Sequence, residues 1–417
     1  MDREVALDKI RGRVAGLDVH KKTVVACALT LEPDGSMVRS KASFSTTSNG
    51  LVELAGFLDR AGVTTVAMEA TGVYWKPVYY SLEGMFDELW LCNAHHVKNV
   101  PGRKTDMSDA EWLADVAAHG MVKPSFVPPP DIRELRELTR YRKTQISERG
   151  REIQRLEKVL QDAGIKLSSV TSRVWGVSTR QMIEALIAGE RDPEVLAEMA
   201  RSKMRSKRPQ LAEALSGRFG PHHATVARQI IAHIDFLDAS IAALSADIAR
   251  RVAPFEQAVK VITSIPGIAT LTAEVVIAEL GVDMSHWPTG GHCCAWGGLA
   301  PASHESAGKR KPVGTRHGGN WLQKALIEAA WASVRSPGTY HNALFKRIAR
   351  RRGPNKAIVA VAHSMLNTIW HLLSTGELYQ DPGADFYDRL DNPAREAKRL
   401  TRRLETLGYT VTIAPAA

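Results

Sequence analysis

The chain has 417 residues, enough for two or three domains. Hydrophobic residues make up 44%, too many for a disordered chain, and the net charge of +10 asks for a polyanionic partner, of which nucleic acid is the commonest. No uninterrupted apolar run comes near the roughly 18 residues of a membrane span; the longest, over 271–280, is broken by Glu274 and Glu279, so no membrane partner is expected.

The start, Met1-Asp2-Arg3-Glu4, has no apolar h-region, which argues against a secretory signal. Residues 13–30 read as two β-rich runs with a tight turn, and 37–44 as a third strand after the turn Pro33-Asp34-Gly35-Ser36. The spacing then predicts a helix over 48–61, a strand over 64–68, a helix over 73–83, a strand over 88–92 and a helix over 108–118. By pattern alone this is α/β. Pro128-Pro129-Pro130 marks a boundary, and 131–167 is helical and highly charged, with Ile146, Ile153 and Leu160 at a spacing of seven. From Ala227, the residues Ile230, Ile234, Leu237, Ile241, Leu244 and Ile248 alternate steps of four and three, an a/d seam. The two long helices are expected to form a coiled-coil arm, within one chain or between chains; an ordinary helical bundle is the plainer reading. Between them Arg201-Ser202-Lys203-Met204-Arg205-Ser206-Lys207-Arg208 carries five cations and no acid. Cys27, Cys92, Cys293 and Cys294 include no C-x-x-C pair, and the adjacent thiols of His292-Cys293-Cys294 chelate one ion poorly, so disulfides and structural zinc are not expected. A reducing cytoplasm fits.

Four acids stand out. Asp18 lies inside an apolar strand, Val14-Ala15-Gly16-Leu17-Asp18-Val19, where a carboxylate needs a partner to offset several kcal/mol of burial cost. Glu69 ends a second apolar run and is followed by the turn Ala70-Thr71-Gly72. Asp106 and Asp109, three apart at a helix start, share a face, although Asp106 also reads as an N-cap. Together four such carboxylates can hold two divalent ions about 4 Å apart for phosphoryl transfer. Farther on, Ile265-Pro266-Gly267-Ile268 before an apolar helix reads either as a helix-hairpin-helix offering N–H groups to phosphate or as a plain packing turn. The loop Ala302-Ser303-His304-Glu305-Ser306-Ala307-Gly308-Lys309-Arg310-Lys311-Pro312 then sets a serine among basic residues. A serine there is a weak nucleophile unless activated, and a loop serine is its bland reading.

The segments Gly16-Leu17-Asp18-Val19-His20-Lys21, Met68-Glu69-Ala70-Thr71-Gly72-Val73-Tyr74-Trp75 and Lys104-Thr105-Asp106-Met107-Ser108-Asp109-Ala110 resemble the three acidic motifs of the DEDD transposases of the insertion-sequence one-ten family, relatives of the Piv-type invertases. Ile262 through Ile268, and Trp296-Gly297-Gly298-Leu299-Ala300-Pro301 through Lys309, resemble that family's C-terminal domain. The resemblance implies an RNase H-like (RuvC-like) α/β domain over 1–128, a helical coiled-coil region over 129–253, a mostly α serine-bearing transposase domain over 254–340 and a basic helical extension over 341–417. It implies Asp18, Glu69, Asp106 and Asp109 as ligands of Mg2+, with Mn2+ the alternative ion, and Ser306 as a nucleophile that forms a phosphoserine link with DNA. Ser303 is the second candidate, since the family's Ser-Gly reads Ser306-Ala307-Gly308 here. Arg103, Lys104, Lys309, Arg310, Lys311 and Arg316 are expected to bind phosphates. Implied partners are target and donor DNA, a noncoding bridge RNA pairing with both, and further copies of the chain, as dimers that pair into a tetramer; the implied location is the bacterial cytoplasm at the nucleoid. Two rival readings are a RuvC-like nuclease, which needs the acids but not Ser306, and a non-catalytic nucleic-acid-binding protein.

Overall fold

A computed structural model describes residues 11–412 except 33, 35, 71, 95–96, 98–99, 101–107, 173, 302–304, 307–308, 311–320 and 391–392. It falls into two compact units, Met1–Val127 and Pro128–Ala417.

In the first unit β1 (Arg13–Val19), β2 (Thr23–Leu31) and β3 (Met37–Ser45) form an antiparallel meander. The chain continues through α1 (Ser48–Arg60), β4 (Thr65–Glu69), α2 (Trp75–Leu82), β5 (Glu88–Cys92) and α3 (Asp109–Ala118). The sheet order is β3-β2-β1-β4-β5, with β4 parallel to both β1 and β5. This mixed sheet is compatible with an RNase H-like fold. Side chains alternate across a strand, so β1 feeds two cores. Ala15, Leu17 and Val19 pack beneath α1 and α2 with Leu54, Leu58, Val78 and Leu82. Val14 faces the other way, with Cys27, Ala67, Trp90 and Cys92, against Ala110, Leu113 and Ala114 of α3. The edge strand β3 is mostly exposed, and its Arg39 and Lys41 reach Asp115 and Glu111 of α3 at 3.1 and 2.5 Å.

The second unit is built on α4 (Pro130–Asp162) and α9 (Pro221–Val252). They pack on each other within one chain. The pairs Glu134–Arg251, Arg149–Asp238 and Asp162–His223 fix an antiparallel register over roughly 40 Å of helix. The buried seam differs from the expected isoleucine repeat. On α9, Ile234, Leu237 and Ile248 are buried, while Ile230, Ile241 and Leu244 are half-buried and Ile231 is buried instead. On α4, the buried positions in the middle are Thr139, Arg142, Gln145 and Glu152, while Ile146 and Ile153 are only half-buried. A polar seam needs specific partners, and an apolar count does not reveal it. Between the long helices, α5 (Leu167–Val170), α6 (Val177–Ala188), α7 (Pro193–Glu198), a 3-10 turn (Ser202–Lys207) and α8 (Arg208–Leu215) close a small core of their own.

The chain then runs through α10 (Glu256–Thr263), α11 (Thr270–Leu280), α12 (Gly290–Trp296), the two-residue strands β6 (Glu305–Ser306) and β7 (Lys309–Arg310), α13 (Trp321–Ser333), α14 (Tyr340–Arg352), α15 (Pro354–Thr375), α16 (Phe386–Leu390) and α17 (Pro393–Thr406). Gly267, at φ +89°, joins α10 to α11. A Cβ there would meet Ala329 O at 2.5 Å and Ser333 N at 2.6 Å, so this turn is docked on α13 and admits only glycine. Cys293 and Cys294 are buried in the core, and Cys294 Sγ donates to His363 O, so neither thiol is turned toward a surface site with His292. Two helical stretches, Pro221–Thr263 and Pro354–Thr375, are long and apolar enough by length and composition to cross a membrane, where unbroken apolar runs had suggested none. α15 is the core helix of its region and buries eight residues from Ala357 to Leu372.

The acids that interrupt the apolar run of α11 explain how it is seated. Glu274 is buried and accepts a hydrogen bond from Arg142 Nη2 at 2.6 Å; Arg142 is itself 2% exposed. Glu279 accepts both Nε and Nη2 of Arg140, at 2.7 and 2.8 Å. Arg136 donates to Ala278 O and Glu279 O, satisfying carbonyls at the end of α11. Removing one partner of a buried pair strands a charge, a loss of about 3–5 kcal/mol. Glu274→Ala is therefore expected to bring the urea unfolding of the helical signal to a lower midpoint by that amount, and Arg142→Met combined with Glu274→Met to recover most of it. Equal losses in the single and double variants would contradict this.

His341, on α14, is fully buried, with Nδ1 2.6 Å from Ser333 Oγ and no partner on Nε2. Burial pushes its imidazole down from 6.5 to about 4. The folded state thus favours the neutral ring: stability is full above pH 6.5 and is lost as pH falls from there to about 4. The loss amounts to at most about 3 kcal/mol. Urea titrations at pH 7.5 and pH 4.5 should show a smaller difference in His341→Gln than in the parent chain.

Candidate active site

β1 and β4 lie side by side and parallel, with Gly16 opposite Ala67 and Leu17 opposite Met68. The same register brings Asp18 and Glu69 to the adjacent C-terminal ends of the two strands. Alternation along each strand puts both on the face that carries Val14, Ala67 and Cys92, the face covered by α3. Asp18 is partly buried, 26% exposed at its side chain, and its Oδ2 lies 3.1 Å from His20 Nε2. Glu69 is half-buried beside Cys92; burial, with the charge of Glu69 adding to it, pushes that thiol up to about 12. Asp109 is exposed in the first turn of α3.

Gly16 decides how close α3 comes to these strand ends. A Cβ at this position would stand 2.2 Å from Ala110 O and 2.5 Å from Ala114 N, both backbone atoms. The helix therefore lies directly on β1, one residue after Asp109 and two residues before Asp18. Its start is fixed by a capping box: Ser108 Oγ accepts from Glu111 N, and Glu111 Oε2 accepts from Ser108 N at 2.9 Å. Hydrogen bonds from Lys41 and Ser108 hold the Glu111 carboxyl down to about 2, so it is ionised at the helix N-terminus, where negative charge is favoured.

Sequence reasoning picked out the acids but missed the role of Gly16 and the cap; the signal was glycine in mid-strand, which marks close backbone approach, and Ser-x-x-Glu, the capping-box spacing. Asp106, Arg103, Lys104, Ser303, Lys311 and Arg316 lie outside the described residues. The main chain of Ser306 pairs with that of Lys309 in the β6–β7 hairpin, which also includes Arg310. This serine belongs to the second unit and the acids to the first.

Oxygen donors alone, at two strand ends and a helix start, suit a hard divalent cation. Asp18, Glu69 and Asp109 do not come within 4.8 Å of one another as a set. Among the described residues the only three such ligands that do are Asp162, His222 and His223. There His223 Nδ1 accepts from Gly220 N and Nε2 faces Asp162 Oδ2, each at 3.0 Å. With Nδ1 accepting, a neutral ring carries its proton on Nε2, which leaves no lone pair for a metal.

A model of the DEDD transposases of the IS110 type matches residues 15–165, and one described as the transposase IS116/IS110/IS902 family matches 259–345. The chain belongs to the IS110 family of transposases. It is 25% identical over 327 residues to the transposase for insertion sequence element IS1111A of Coxiella burnetii, covering 76% of this chain and 80% of that one. A 43.6 kDa protein of insertion element IS110 from Streptomyces coelicolor is 27% identical over 124 residues, 29% of this chain and 30% of its own length. The transposase is thus an enzyme that cuts and rejoins DNA, and its first matched segment includes Asp18, Glu69 and Asp109 while its second includes Ser306.

Gly16→Val should force α3 off β1. Overpacking of this kind costs about 1–3 kcal/mol, and recombination should fall further than stability, because Asp109 moves with the helix. Urea unfolding and a strand-transfer assay below the unfolding midpoint check both; a variant with parent-like activity would contradict the close-approach account.

Proposed function

We propose that this transposase recombines DNA by a metal-assisted serine mechanism. The observation that carries the reading is the convergence of Asp18 and Glu69, on one sheet face, with the helix start that bears Asp109. These three with Asp106 would hold the divalent ions, Mg2+ first and Mn2+ as the alternative. When bound, such ions shield the charge of the scissile phosphate and stabilise the departing oxygen. Ser306 Oγ bonds to phosphorus while the bond from phosphorus to the 3′ oxygen breaks. The proton that the serine gives up is matched by one taken up at the new 3′ hydroxyl. A 3′ hydroxyl from a second site then displaces the serine. The phosphoserine link keeps the bond energy, so no nucleotide triphosphate is required.

Arg103, Lys104, Lys309, Arg310, Lys311 and Arg316 would hold the phosphates next to the reacting one. The turn at Gly267 would act as a helix-hairpin-helix, and the pair α4–α9 as a coiled-coil arm. The acids and the serine lie in separate units, and family resemblance supports an assembly in which one copy's acids meet another's serine, as dimers paired into a tetramer. The same resemblance, with the +10 net charge, supports a bridge RNA that pairs with target and donor DNA. Base selection would then rest on pairing, with little direct readout by the protein.

The test is covalent trapping. The protein is incubated with RNA from its element, Mg2+ and labelled DNA spanning the element junction, then denatured in detergent. A labelled protein band is expected, absent in Ser306→Ala and reduced about 100-fold or more in Asp18→Ala. Cleavage with no band, indifferent to Ser306→Ala, would leave a RuvC-like nuclease. Binding without cleavage under any divalent metal would leave a non-catalytic nucleic-acid-binding protein.

A further inference from the structure

We infer that the elbow between α14 and α15 is a docking surface for the backbone of duplex DNA, distinct from the groups assigned to the chemistry. The residues from Ala329 to Gly376 include no Asp or Glu, yet they carry seven Lys and Arg. Five of these, Lys346, Arg350, Arg351, Arg352 and Lys356, are exposed and form no ion pair or hydrogen bond among the described residues. Arg347 differs, since its guanidinium lies over the Tyr387 ring at 4.6 Å.

The long helix α4 treats most of its cations otherwise. On α4, the residues Arg136, Arg140, Arg142, Lys143, Arg149, Arg151 and Arg155 each face a carboxylate. Segregated cations repel one another unless a polyanion offsets them. The bland account is that Arg350, Arg351 and Arg352 answer the dipole at the C-terminus of α14. It does not reach Lys346, which stands more than a turn before that end. It fails for Lys356, at the third position of α15, where a cation opposes the dipole of its own helix. Gly353 joins the two helices directly, so both sets of cations crowd one corner. A short, exposed corner of cations unpaired among the described residues suits the phosphates of a duplex, and DNA is the polyanion on which a transposase acts. The inference rests on that activity and not on the serine mechanism.

The test measures salt-dependent binding of an unrelated 30-base-pair DNA duplex by full-length Ser306→Ala protein, so that chemistry plays no part. Lys346→Gln, Arg350→Gln, Arg351→Gln, Arg352→Gln and Lys356→Gln together should lower the slope of log affinity against log salt by about 3 or more, at roughly 0.9 for each phosphate that is no longer neutralised. A variant that exchanges Lys for Arg and Arg for Lys at the same five positions should keep the parent slope. Circular dichroism and the unfolding midpoint show whether both variants are folded; if the glutamine variant is not, the single changes Lys346→Gln and Lys356→Gln, each lowering the slope by about 1, decide. An unchanged slope in folded variants overturns the inference, even if serine trapping succeeds. A loss confined to an RNA duplex, or to anionic phospholipid vesicles, overturns it too. A lowered DNA slope upholds it even if trapping fails.

Discussion

A carboxylate withdrawn from water has to be neutralised, and the two units of this transposase meet that demand in opposite ways. In the helical unit, Glu274 and Glu279 are buried on α11 and matched at once by Arg142 and Arg140 of α4. Those contacts are closed, and they fasten the C-terminal helices to the long helix pair. On the N-terminal sheet, Asp18 is answered among the described residues by His20 alone, an imidazole 60% exposed. An acid at a strand end whose protein partner is only a titratable ring stays open to a cation from solution. Burial of charge thus builds the frame in one unit and leaves the proposed metal site open in the other.

That proposed site depends on a missing side chain. With no Cβ on Gly16, the backbone of α3 rests on β1, and the helix start reaches the strand ends where Asp18 and Glu69 stand. Ionic contacts from the edge strand hold α3 from the side, through Lys41 to Glu111 and Arg39 to Asp115. The strand β3 therefore does more than extend the sheet: its basic residues hold the helix whose first turn carries Asp109. The packing of an exposed edge and the placing of the Asp109 carboxylate are one arrangement here.

The net positive charge is spread unevenly, and the pattern separates structure from partner binding. On α4, Arg140, Arg142 and Arg149 are taken up by internal acids, whereas Lys346, Arg350, Arg351, Arg352 and Lys356 at the α14–α15 elbow are matched by none among the described residues. Composition reports only the sum, +10. Which charges are open to a polyanion depends on what each side chain faces in the fold.

The sequence by itself determined the strand–helix alternation of the first unit, the boundary near the three prolines, the two long helices and the acids worth watching, because each is a local pattern of period, turn residue or isolated charge. The motif segments were specific enough to point to the family. Tertiary structure alone decided that Gly16 admits a helix, that Glu274 and Glu279 are anchors and not mere interruptions of an apolar run, and that the seam of α4 passes through Arg142 and Gln145 and not through Ile146 and Ile153. Each of these depends on which backbone or side chain arrives from more than ninety residues away. Local spacing carries no record of such an arrival, since a buried ion pair and a solvated one are spelled with the same letters.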